Sequence, residues 1–461
     1  MRYTLTIRDE DYNEIKEHLI REDKNERVVF ALCGRSFVEN AEDRMLIKRI
    51  IKLDESQLIL STPTQVSWDN NEFIKVLKLA ELKDYGIVIF HNHSNGLNKF
   101  SDADDLGEHN LFKLAYNRNG GNRPHGSVIM LPDGSLIGRV WKRDLSNDEF
   151  DIIRVIGNSF KIWYPDRLNN YQSPEIFHRQ KLAFGPALVQ DFSKLKITVV
   201  GAGATGSATA MLLNRLGIGE IFIIDKDKIE ESNLNRLEYA TINDVGKSKV
   251  EVLKKYIDNT GLNTKVTAIN DWVSAPDAIK SLKVSDVVFG CTDDNAGRII
   301  LNRFAYFYLT PVIDMGLVIS MKKDSYEIQD LQGRVSFIFP GSDCMLTKGI
   351  INSDIAYAEN LKREDPDNYE KLKEEAYVIG EKNPSPAVVT FTTQIATLAV
   401  NELLNRIQTF NPNAIKPHKI YMFHRGIELS PKNREDNDCR ICGNKLYWAR
   451  GDMKPFLDIV I

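Results

Sequence analysis

Two histidines one residue apart, His91 and His93, are followed after a seven-residue gap by Ser101 and, three further on, by Asp104. On an extended backbone alternate side chains share a face, so both imidazoles can address one metal ion. Two imidazoles, a carboxylate and a water form the open tetrahedral donor set of a zinc site that activates water. Such chemistry also needs a general base, a carboxylate able to take the water's proton. A second reading needs no metal. Ser101 at a helix N-cap, with an acid three residues on, is a capping-box arrangement in which Asp replaces Glu or Gln. A cap alone does not call for a His-x-His at the end of the preceding strand.

A different chemistry is written further along. The stretch "KITVVGAGATGSATAMLLNRLG" reads as a strand, a turn with Gly201, Gly203 and Gly206, and a helix. Those glycines let backbone approach a phosphate, and the helix N-terminus supplies N–H donors. Asp225 ends the next strand, where a carboxylate can bind a ribose hydroxyl. Dehydrogenases share such a turn, so the residues after it discriminate. Asn233, Arg236 and Lys249 follow, and Asp293 ends a later apolar strand. Hydride transfer has no need of that set. Attack of a carboxylate on the α-phosphate of ATP does, because charge builds as pyrophosphate leaves, and cations with a carboxylate-held Mg²⁺ offset it. Taken singly, Arg236 and Lys249 read as surface cations and Asp293 as a helix cap.

These residues require elements to hold them. "DEDYNEIKEHLI" has helical spacing, "RVVFALCG", "RMLIKRIIKL" and "YGIVIFHNH" read as strands, and "SDADDLGEHNLFKLAY" reads as a helix. "GSVIMLPDGSLIGRVW" reads as a hairpin turning at Asp133-Gly134. From 194 onward strands alternate with helices, which argues for a parallel sheet covered on both faces. "NLKREDPDNYEKLKEEAY" reads as an exposed helical excursion. A length of 461 residues implies two or three domains. With 43% hydrophobic and 27% charged residues and a net charge of -4, neither nucleic acid nor a membrane is expected as partner. Five scattered cysteines and an N-terminus without an apolar core give the cytoplasm as the expected compartment.

The stretch "HNHSNGLNKFSDAD" resembles the JAMM motif of the JAB/MPN metallopeptidases, which remove ubiquitin-like proteins or trim their C-termini. The resemblance implies that His91, His93 and Asp104 hold zinc and that Ser101 helps stabilise the oxyanion. The family's catalytic glutamate lies ahead of the first core strand. Glu26 occupies that place, followed by an apolar strand and a glycine, with Glu39 as the competitor. Ser94 stands where the family usually has proline.

From about residue 176 the chain resembles the bacterial ThiF/MoeB/HesA form of the ubiquitin-activating superfamily. "SNLNRL" matches its SNxxRQ element with Leu237 in place of glutamine, "GKSKVE" supplies the phosphate-contacting Lys249, and "CTDDNAGR" the Mg²⁺ aspartate, Asp293. "HRQKLAFG" resembles the element whose arginine reaches a neighbouring subunit's nucleotide, which would make Arg179 act in trans in a homodimer. "PSPAVVTFTTQIATLAVNELL" resembles the late helix after the family's crossover segment. Members often carry two CxxC pairs on a structural zinc. Here Cys439 and Cys442 form one, and Cys344 remains from the other with Thr347 in the partner position. Three thiolates with a histidine such as His424, an empty site, and a thioester-forming Cys344 stay open, while Cys291 reads as a packed residue.

The chain is thus expected to be α/β. A mixed α+β JAB/MPN domain spans 1–145, a connector 146–175, and a Rossmann-like, doubly wound ThiF-type adenylation domain 176–461. The expected function is bifunctional. One site adenylates the C-terminal glycine of a ubiquitin-like protein with ATP and Mg²⁺, and a zinc site cleaves after that glycine. Sulfur-carrier activation, and a silent JAB-like module that only docks the carrier, are the alternatives. The carrier, a conjugating enzyme and a second copy of the chain are the partners this implies.

Overall fold

The computed structural model describes residues 1–453 apart from 120–122, 166, 168–170, 323–324, 326, 375–385, 435 and 444. Among the described residues two compact units result, one made of Met1 to the residues before 170 with Phe307–Leu309 and the chain from Tyr447 onward, and a second made of the residues after 170 up to Tyr306 and from Thr310 to Leu446.

The first unit is built on a nine-stranded sheet. Its order is Lys161–Trp163, Ile152–Ile156, Arg2–Arg8, Glu42–Lys52, Val28–Val38, Gly86–Asn92, His125–Met130, Leu136–Trp141, Asn147–Glu149. The pleat sorts its core. Val29, Ala31, Cys33, Val88 and Phe90 face a cluster that includes Tyr12, Ile15 and Leu19 of the helix Asp9–Leu19. Val28, Phe30, Leu32, Ile87 and Ile89 face a second cluster, with Phe73 and Leu77 of the helix Asn70–Lys83 and Phe112 of the helix Asp102–Asn119. By the same alternation Glu26, His91 and His93 belong to the side that carries Asp102–Asn119. The antiparallel register pairs Val28 with His91 and so sets Glu26 just beyond the histidine strand.

The first unit runs past residue 145, where the sequence reading ends the domain. Ile152–Ile156 pairs in parallel with Arg2–Arg8, Thr4 opposite Ile152, and all five of its residues are buried. A strand covered on both faces shows no polar–apolar alternation, which is why "DIIRVIG" carries no strand period.

In the second unit an eight-stranded sheet has the order Lys265–Ile269, Glu220–Ile224, Lys196–Val200, Val287–Gly290, Val312–Met321, Ile328–Ile338, His418–Met422, Ile427–Leu429. The first five strands are parallel and the rest antiparallel. Chain order reverses between Lys196–Val200 and Val287–Gly290, a switch point that opens a crevice at the strands' carboxyl ends. The parallel half follows the expected strand–helix alternation, and the antiparallel half is an addition to it. "NLKREDPDNYEKLKEEAY" forms the helices Ser353–Glu364 and Pro366–Glu374, and its last three residues lie outside the described ones. The late helix is Val389–Gln408, and the start of its motif, 384–385, also lies outside. Among the described residues no helix is long and apolar enough to cross a membrane.

Candidate functional sites

The strand Gly86–Asn92 delivers His91 and His93 to one point. Their Nε2 atoms lie 3.1 Å apart, and Asp104 places Oδ1 3.3 Å from His91 Nε2 and Oδ2 3.5 Å from His93 Nε2. All three ligand-type atoms fall within 4.8 Å of one another. His93 is fixed from behind, its Nδ1 2.9 Å from the Leu97 carbonyl, so the tautomer with Nδ1–H turns a free Nε2 lone pair toward the cluster. The capping reading holds as well. The Ser101 amide and hydroxyl each donate to Asp104 Oδ2 at 2.7 Å, and the Asp104 amide donates back to Ser101 Oγ at 3.2 Å. Burial pushes the Asp104 carboxyl up, but hydrogen bonds from both histidines and from the Ser101 amide outweigh it and hold the acid well below the usual carboxylate range.

Glu26 lines the same cleft, of about 200 Å³, with His91, His93, Ser101 and Asp104 against an apolar wall that includes Val66 and Trp68. It is 6% exposed, and burial lifts its carboxyl to about 7, with the two histidines pulling down and Asp104 pushing up. A carboxyl titrating there is matched to taking and returning a proton near neutral pH. Glu39, the competitor, is not among the cleft-lining residues. Sequence reasoning passed over Glu108, which also lines the cleft and takes Ser127 Oγ, Arg139 Nε and Trp141 Nε1 on one oxygen. Its signal was its spacing, one helical turn after Asp104.

In the second unit the three glycines do different work. Gly201 has φ +101°, and a Cβ there would lie 2.7 Å from the Cys291 carbonyl oxygen. A Cβ on Gly206 would collide with the Gly201 carbonyl, so this glycine lets helix and strand approach. A Cβ on Gly203 meets no atom within 4 Å, so the chain's own packing does not require glycine there. That open space before the N-terminus of the helix Ala204–Leu216 fits a phosphate group.

Asp225 braces this turn, accepting from the Ala202 amide at 2.7 Å and the Asp227 amide at 2.8 Å. Lys249 bonds Asp227 at 2.9 Å, and Arg236 donates to the Ser232 carbonyl at 2.6 Å. Asn233 is buried, with its Oδ1 accepting from the Glu230 amide at 3.3 Å. The helix cap that Asp293 was read as an alternative for falls to its neighbour. Asp294 accepts from the Thr292 hydroxyl and the Gly297 amide at the start of the helix Asn295–Phe307, and Glu359 accepts from the Ala296 amide at 2.8 Å. The Asp293 carboxylate is exposed and bonded to no described group. Leu237 is buried in the glutamine's place, and Arg179 is exposed on the helix His178–Phe184.

The cysteines bear on two of the readings left open. Cys344, Cys439 and Cys442 form one cluster, with Cys344 Sγ 3.6 Å from Cys439 Sγ. Thr347 Oγ1 closes the fourth corner, 3.2 Å from Cys442 Sγ and 3.7 Å from Cys344 Sγ. His424 is not the fourth donor, because its Nδ1 engages the Leu331 backbone at 3.1 Å and the ring lies toward Asp330. Cys344 is fully buried, which removes the access a thioester-forming thiol needs. Cys291 is a packed thiol, 3.9 Å from Met315 Sδ, and burial pushes it up to about 12.

Comparison with known proteins bears on the second unit. The model of the ThiF family matches residues 177–441, more than half of the chain. The adenylyltransferase and sulfurtransferase UBA4 of Meyerozyma guilliermondii is 33% identical over 118 residues, 26% of this chain and 28% of that protein. The ubiquitin-like modifier-activating enzyme 5 of Caenorhabditis briggsae is 31% identical over 130 residues, 25% of this chain and 30% of that protein. The chain thus spans under a third of the length of these curated relatives. Crystalline E. coli MccB with ATP is 21% identical, with a TM-score of 0.45 over 60% of this chain and 76% of that one. On the match across residues 177–441, this chain belongs to the ThiF family.

Proposed function

We propose that the chain is a bifunctional enzyme of a ubiquitin-like pathway. Its second unit adenylates the C-terminal glycine of a small ubiquitin-fold protein, and its first unit hydrolyses the bond after that glycine. One observation carries the pairing. A four-residue hydrolytic constellation, Glu26 with His91, His93 and Asp104, lies in one cleft of a chain whose remainder belongs to the ThiF family.

In the adenylating site the crevice at the switch point receives ATP. Backbone amides around Gly203 face its phosphates, Asp225 stands at the ribose end, and Arg236 and Lys249 offset the charge that grows on the phosphates. Lys249 exchanges its Asp227 partner for a phosphate oxygen in doing so. Asn233 holds the loop that presents Arg236, and Asp293 would hold Mg²⁺. Arg179 acts on the nucleotide of a second copy, which makes the working form a homodimer. The carrier's carboxylate attacks the α-phosphorus, the bond to pyrophosphate breaks, and an acyl adenylate forms.

In the hydrolytic site His91, His93 and Asp104 would hold zinc, and their three mutually facing donors fit a tetrahedral ion with one open position. Zinc bound there supplies Lewis-acid activation of water and of the carbonyl under attack. Glu26 takes the proton of the attacking water and returns it to the leaving amine. The Ser101 hydroxyl turns from Asp104 toward the developing oxyanion. Cys344, Cys439 and Cys442 would hold a structural zinc, and a separate conjugating enzyme receives the activated carrier.

A second reading, activation of a sulfur carrier, is favoured by the relatives named as adenylyltransferases and sulfurtransferases. A small ubiquitin-fold protein ending in glycine, incubated with the enzyme, ATP, sulfide and cell extract as the source of a conjugating enzyme, and weighed by mass spectrometry, separates the two. Lysine conjugates support the first reading and a thiocarboxylate the second. Cleavage of a carrier fusion in zinc-loaded enzyme opposes a first unit that merely docks the carrier.

A further inference from the structure

We propose that Asn92 and Ser94 are positioning residues for Glu26, an inference that rests on the hydrolytic reading of the cleft. No described group hydrogen-bonds the Glu26 carboxyl, so backbone bonds set its place. On one side its own amide donates to the Thr62 carbonyl at 2.8 Å and its carbonyl accepts from Ser61 Oγ at 2.9 Å, and on the other side its two neighbours are held. The antiparallel ladder ends at the Val28–His91 pair, and residues 25–27 lie beyond it. There the Asn92 side chain takes over the pairing. Its Oδ1 accepts from the Arg27 amide at 2.7 Å, and its Nδ2 donates to the Asn25 carbonyl at 3.1 Å. Both neighbours of Glu26 are thereby tied to the residue between the two histidines.

Ser94 completes the arrangement. Its Oγ accepts from Asn92 Nδ2 at 2.9 Å and adds a second partner to the buried amide, whose facing the Arg27 amide and the Asn25 carbonyl set. A proline at this position has no such acceptor, so the residue that departs from the motif adds a bond to Asn92 that the motif's proline cannot make. The turn that follows is closed without proline, by the Gly96 amide on the His93 carbonyl at 3.0 Å and the Leu97 amide on Asn95 Oδ1 at 2.9 Å. Neither Asn92 nor Ser94 is among the three metal-facing side chains, so removing either leaves the ligand set whole.

The test uses the full chain loaded with zinc, a fluorogenic peptide amide ending in Gly-Gly, metal analysis, and hydrogen exchange at the Arg27 amide. Asn92→Ala is expected to keep wild-type zinc content and KM, to lose about 10- to 100-fold in kcat through a misplaced base, and to expose the Arg27 amide to faster exchange. Ser94→Ala should show a smaller loss that Ser94→Thr reverses. Wild-type kcat in Asn92→Ala, or loss of zinc along with activity, overturns the proposal. If wild type and His91→Ala release the fluorophore alike, the hydrolytic reading itself fails and takes the proposal with it.

Discussion

Ser101 and Asp104 bind each other reciprocally, hydroxyl to carboxylate at 2.7 Å and amide to hydroxyl at 3.2 Å, while the same carboxylate faces two imidazoles. A helix cap and the candidate metal site therefore share one carboxylate, and the cap holds it where the histidine strand ends.

The two roles separate by mutation. Ser101→Ala should lower stability by about 1 kcal/mol, the usual worth of a cap, and keep the zinc of this site. Asp104→Ala should lose both. Thermal unfolding with zinc analysis by mass spectrometry checks the pair, and loss of zinc in Ser101→Ala would place the serine among the ligands.

Glu26 makes the metal-free protein sensitive to pH in a stated direction. Its carboxyl is raised from 4.5 to about 7 by burial, so between those values the folded state binds a proton that the unfolded state has released. Stability from this group is full below 4.5 and falls as pH climbs through 7. In chelator, Glu26→Gln should match wild type at low pH and unfold at a higher temperature than wild type at pH 8. A Tm difference that stays flat with pH contradicts it.

The glycines predict opposite phenotypes. Gly206→Ala should fail to fold or lose much stability, since its Cβ meets the Gly201 carbonyl. Gly203→Ala should fold with an unchanged Tm and bind ATP at least about tenfold more weakly, because its methyl group would take up space the proposed phosphate site needs and none that the chain's own packing needs. Equilibrium binding of labelled ATP and thermal unfolding read the two effects.

Adjacent aspartates should divide in the same way. Asp294→Ala removes a cap and costs about 1 kcal/mol of stability. Asp293→Ala removes an exposed carboxylate that no described group binds, leaving Tm unchanged while Mg²⁺-dependent ATP–pyrophosphate exchange disappears. Unfolding curves and exchange rates on the two variants provide the check.

Much of this was legible in the sequence because its motifs are local. His91, His93 and Asp104 lie within one strand, turn and helix, and the glycine turn lies within one strand–turn–helix. The strand Ile152–Ile156 was not legible, since burial on both faces erases its period. The three cysteines were brought together only by the family resemblance, because Cys344 meets Cys439 through the fold of nearly a hundred intervening residues, and no spacing says which of the open readings holds. Asn92 was in plain view between the histidines. Its role depends on a register with residues 25–27 that no local pattern encodes.

The most direct test of two chemistries in one chain is a paired assay on the purified protein. ATP–pyrophosphate exchange in the presence of a glycine-ending ubiquitin-fold carrier is measured beside cleavage of that carrier's C-terminal fusion. Asp293→Ala should abolish exchange and spare cleavage, and Glu26→Ala should abolish cleavage and spare exchange. Survival of both activities in both variants would contradict the account.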